Sequence, residues 1–120
     1  MKEMLVLTIK GRIPSKKNSR VSAGRYTVAS GSYRQWSEYA ALQILEHKGR
    51  MMDRVDIQFE FWMPDNRRCD LDNKVTSLLD LLKDLKIIKD DTWQCVPSFY
   101  ARCAGIDKKN PRVIIWIILI

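Results

Sequence analysis

The chain has 120 residues, 46% of them hydrophobic, and a formal net charge of +7. That length suits one domain, spanning 1–120, which can bury roughly two-thirds of its unfolded surface without covalent staples. Three cysteines at unmatched spacings (Cys69, Cys95 and Cys103) and a single histidine argue against a disulfide framework or a zinc site. An early charge and a longest apolar run of only VIIWIILI argue against a signal peptide or a bilayer span. A cytoplasmic protein with no membrane contact is therefore expected.

The first apolar, β-branched run, MLVLTIK, ends at Gly11 and predicts a strand. The next stretch, GRIPSKKNSRVSAGRYTVASGS, is rich in Gly, Ser, Lys and Arg, which predicts a long mobile loop or a loose hairpin. Its charge is one-sided. Between Met4 and Ser37 there are seven basic residues and no acid, whereas from Glu38 to the end 13 basic residues meet 13 acidic ones. The net positive charge thus sits in one early segment, as expected of an arm that attracts phosphate backbones. A solvated, merely solubilising loop is the simpler alternative.

Ser32 stands three residues before Gln35, a capping-box spacing, and Tyr33, Trp36, Ala40, Ile44 and His47 come after it at helical intervals until Gly49. His47 then reads as a packed or edge side chain, because no second histidine exists to share a ligand. VDIQFEFWM alternates apolar and polar residues and predicts a half-buried strand ended by Pro64, with Trp62 on the exposed side. Val75, Leu78, Leu79, Leu82 and Leu85 step by three and four, which predicts a second helix from Asn73 to Leu85. TWQCVPSFYARCA reads as a third strand that its proline confines to an edge or a bulge. PRVIIWIILI closes the chain as a strand apolar on both faces, which suggests cover from a partner subunit. The expected fold is α+β in the order β-α-β-α-β-β, a mixed four-stranded sheet packed with two helices.

The stretch RRCDLDNK carries two aspartates at alternate positions just ahead of the second helix. Within a helix Asp70 and Asp72 would point about 200° apart, but in an extended lead-in capped by Asp72 or Asn73 they converge. Asp90 and Asp91 lie past the helix. The seven residues from Leu85 to Asp91 reach back to Asp72 only if they run extended along it. Convergent carboxylates raise one another's pKa unless a cation neutralises them, and hard oxygen ligands select Mg2+ or Mn2+. A helix-capping role, with Arg67 and Arg68 as ion-pair partners, explains the same spacing. Spacing leaves both readings open.

Taken in order, IPSKKNSR, YRQW, MPDNRRCDLDN, LLDLL and IIKDD resemble the RusA family of Holliday junction resolvases. The resemblance implies a homodimeric, Mg2+-dependent endonuclease that binds four-way DNA junctions and nicks two opposing strands, with no small-molecule cofactor. It places the family's acidic residues on Asp70, Asp72 and Asp91. It also makes the early basic loop, with Lys16, Lys17, Asn18, Arg20 and Arg25, a DNA-contacting arm. Arg67, Arg68 and Lys74 are expected to hold the scissile or a neighbouring phosphate. One position departs from the pattern. Family members usually carry a lysine four residues after the second aspartate, where this chain has Thr76. Lys74 lies two residues earlier, on another side of any helix, so a weakened or inactive protein that still binds branched DNA is the alternative.

Overall fold

The computed structural model describes residues 3–14, 20–23, 26–29 and 31–120, with side chains described at 3–14 and 33–120. Strand β1 (Met4–Lys10) is followed by a hairpin, β2 (Arg20–Ala23) and β3 (Tyr26–Ala29), and by helix α1 (Gly31–Gln43). Then come β4 (Val55–Met63), α2 (Leu71–Asp84), β5 (Ser98–Ile106) and β6 (Arg112–Leu119). The main sheet has the order β1-β6-β4-β5. β6 runs antiparallel to both its neighbours, whereas β4 and β5 are parallel and joined through α2. The expected mixed four-stranded sheet with two helices is present. The basic segment contributes a separate two-stranded sheet, β2-β3, so of its two readings the hairpin holds where the segment is described.

The core follows from strand alternation. Leu5, Leu7 and Ile9 of β1 lie on one face with Val113, Ile115 and Ile117 of β6 and Val55, Ile57, Phe59 and Phe61 of β4. Trp36, Ala40 and Ile44 of α1 join the same buried cluster, as do Val75, Leu78 and Leu82 of α2, each set at helical spacing. Burial of each large apolar side chain is worth roughly 1.5–3 kcal/mol, and this face therefore fixes the register of the sheet. On the other face Ile114, Trp116 and Ile118 are half-buried, beside exposed Met4, Val6 and Tyr100.

Several sequence expectations shift. Helix α1 starts at Gly31, so Ser32 lies inside it rather than capping it, and the helix ends at Gln43 with a short 3₁₀ turn at Leu45–His47. Helix α2 starts two residues earlier than its apolar pattern suggests, with Asp70 as N-cap. Residues 92–97 form a turn, not a strand. Cys95 and Val96 are buried there because the Cys95 carbonyl receives the N–H of Val55 at 2.8 Å, tying the turn to the start of β4. β5 begins just past Pro97, so the proline lies outside the strand, and β5 occupies the sheet edge. Trp62 is half-buried rather than exposed: its Nε1 donates to Glu60 at 3.1 Å and the Arg112 guanidinium lies 4.9 Å over its ring. No helix among the described residues is long and apolar enough to cross a membrane.

The end of α2 sets the direction of the chain beyond it. Ile87 N–H donates to Leu82 O and Lys86 N–H to Lys83 O, both at 3.0 Å, with Lys86 left-handed at φ 57°. This is a Schellman closure, which turns the chain sharply away from the helix axis. The released segment then pairs with the residues ahead of β4: Met52 N–H donates to Ile87 O and Lys89 N–H to Met52 O. Ile87 and Ile88 are fully buried by this pairing.

Candidate active site and nucleic-acid interface

The loop from β4 to α2 is shaped by Asp65. One carboxylate oxygen accepts the N–H of Arg67 at 2.9 Å, and the other pairs with Arg12, just past β1. The Arg67 N–H bond holds the Asp65 carboxyl below its ordinary pKa, with the Arg12 pair and the Arg67 charge adding to it and desolvation opposing. Beyond this turn Arg67 and Arg68 are exposed, and Asp70 is extended at φ −100°, ψ 126°.

Asp70 makes no side-chain cap bond, although it stands at the N-cap position. Its carboxylate is exposed at the positive end of the α2 dipole and remains available to a ligand. Asp72, also exposed, lies in the first turn and accepts the adjacent N–H of Asn73, at 2.9 Å. Thr76 shares this solvent face: its Oγ1 donates to the Asp72 carbonyl at 3.0 Å.

Lys74 faces the opposite way. It is 5% exposed, and its Nζ donates to the Ile13 carbonyl across the β1 exit. Burial lowers its pKa, with the nearby Arg12 charge adding to this and Cys69 and Asp65 opposing it. Lys74 therefore belongs to a cavity beside the loop, while Asp72 and Thr76 look outward.

Asp90 and Asp91 lie at the far end of α2. The Asp90 carboxylate accepts the Asp91 N–H at 2.8 Å, and the half-buried Asp91 carboxylate lies 3.8 Å from the Lys83 ammonium in the last helical turn. The helix from Leu71 to Asp84 thus separates Asp91 from the Asp70–Asp72 pair, at 1.5 Å of rise per residue. The extended run back along the helix does not form. Among the described residues no three His, Cys, Asp or Glu side chains are grouped so as to hold one metal ion.

Of the basic arm, Lys16, Lys17, Asn18 and Arg25 lie outside the described residues, and Arg20 is described by its backbone in β2 only. Sequence reasoning missed Asp65 and Arg112 as neighbours of the site. Arg112 stands beside Trp62 because β6 lies between β1 and β4, a strand order that no local pattern discloses.

A family model described as endodeoxyribonuclease RusA matches residues 11–118, nearly the whole chain. A search of curated proteins gives no match. The matched span includes the β4–α2 loop, both helices and the hairpin, so the resemblance carried by the aspartate motif extends over the fold that holds it. The chain belongs to the RusA family of endodeoxyribonucleases, the Holliday junction resolvases.

Proposed function

We propose that the protein is an Mg2+-dependent resolvase that cuts four-way DNA junctions by paired symmetric nicks, and that it works as a homodimer. The observation that carries this reading is the uncapped, exposed pair Asp70 and Asp72 at the start of α2, flanked by exposed Arg67 and Arg68. Carboxylates there have no structural duty that needs both, and the two arginines supply charge for the phosphates on either side.

Asp91 completes the acidic set from a second copy. A two-fold dimer that sets the end of α2 in one protomer against its start in the other supplies two such sites, matched to a substrate of approximate two-fold symmetry. When bound, a divalent ion supplies charge neutralisation for the carboxylates and activation of water toward a phosphodiester. Mn2+ suits the same oxygen ligands. Lys16, Lys17, Asn18, Arg20 and Arg25 act as a DNA-contacting arm, and the charge map of the early segment supports that role.

Thr76 favours a second reading, a branched-DNA-binding protein of weak or no turnover, because the exposed face of α2 lacks a lysine beside Asp72. A nicking assay on a synthetic four-way junction in Mg2+ decides between the two. Paired incisions that disappear in Asp72→Asn support the resolvase, whereas binding without incision under Mg2+ and Mn2+ supports the binding protein. Wild-type cleavage by Asp72→Asn would overturn the site.

A further inference from the structure

Arg12, Arg67, Lys74 and Arg112 come from separate stretches of the chain and line one narrow cavity at the foot of the β4–α2 loop. Asp65 is the one carboxylate in its wall among the described residues, and it is already engaged by the Arg67 N–H and by Arg12. Arg112 has its own partner, Asp107, at 2.9 Å, and is held over the Trp62 ring. Even with Asp107 counted, four cations meet two carboxylates. Arg67 and Lys74 have no salt bridge among the described residues.

The excess is unusual because part of it is buried. An ammonium carries three N–H donors, and the Ile13 carbonyl takes one from Lys74. A buried, unpaired charge costs several kcal/mol unless an anion offsets it. A clamp that merely joined the β1 exit to the loop would need one ion pair, which Arg12 and Asp65 already supply. The cavity has room for about one water-sized atom, too little for a base or a whole phosphate group. Cys69, the residue before Asp70, forms part of its wall and sets it next to the acidic pair.

We propose that this cavity receives a non-bridging oxygen of a DNA backbone phosphate neighbouring the one cut at Asp70 and Asp72, with Arg12, Arg67, Lys74 and Arg112 as its donors. The inference rests on the nuclease reading above. It gives Lys74 a positioning role in substrate binding and adds Arg12 and Arg112 to the interface.

The test is binding of a four-way junction in EDTA, where no strand is cut, measured across a salt series for wild type, Lys74→Met, Arg112→Gln and Arg112→Lys. Loss of one phosphate contact lowers the slope of log affinity against log salt by about 0.9. Lys74→Met and Arg112→Gln are expected to bind about tenfold more weakly, with that reduction in slope, whereas Arg112→Lys keeps the wild-type slope. Lys74→Met should melt no lower than wild type, because an apolar side chain replaces a buried charge. Wild-type affinity and slope in both Lys74→Met and Arg112→Gln would overturn the phosphate site alone. Failure of the wild type itself to bind the junction would overturn the nuclease reading, and this inference with it.

Discussion

The Asp91 carboxylate lies 3.8 Å from the Lys83 ammonium, at the opposite end of α2 from Asp72. The cause is local. The left-handed Lys86 closes the helix, and the burial of Ile87 and Ile88 against the Met52 segment then directs the chain away from the helix axis before Asp90 is reached. The apolar residues in LKIIKDD therefore decide where the acidic ones sit.

That closure carries a removable strain. A non-glycine residue in the left-handed region costs roughly 1–2 kcal/mol, and the Schellman position favours glycine. Lys86→Gly is expected to stabilise the fold by about 1 kcal/mol, raising Tm by about 4 °C in thermal melts. A lower Tm would show that the Lys86 side chain contributes more than its backbone costs.

Thr76 shares the solvent face of α2 with Asp72, whereas Lys74 is turned into the protein. Thr76→Lys places an ammonium on the acidic face and frees the helix of a back-bonding hydroxyl. Junction cleavage under single-turnover conditions should rise by about 10²-fold, the value of one electrostatic donor at a reacting phosphate. An unchanged rate would mean that another cation already fills that place.

The Asp65 turn makes the loop sensitive to acid. Its folded pKa lies below the ordinary 3.8, so its contribution to stability is fully present above that pH and is lost as pH falls through the folded value. Thermal melts between pH 5 and pH 2 should show a steeper loss for wild type than for Asp65→Asn. Parallel curves would rule out the carboxylate as a source of acid sensitivity.

Much of the fold was legible because periodicity reports burial. The alternation in VDIQFEFWM and the steps of three and four from Val75 to Leu82 mark faces that the core does bury. TWQCVP misled for the same reason: Cys95 and Val96 are buried, but by a turn hydrogen-bonded to β4. The start of α2 moved to Leu71 because the apolar pattern begins later than the hydrogen-bonded turn. In the site, residue types were legible and their convergence was not. Whether Asp91 meets Asp72 depends on the helix closure, and whether Arg112 meets Lys74's cavity depends on strand order. Neither leaves a local signature.

Mixed dimers test the central claim most directly. Asp72→Asn and Asp91→Asn chains, differently tagged and purified as a heterodimer, are compared with each mutant homodimer on a four-way junction in Mg2+. If Asp91 of one copy serves Asp70 and Asp72 of the other, the heterodimer keeps one intact site and nicks one strand per junction, while both homodimers nick none. A heterodimer as inactive as the homodimers would contradict the shared site.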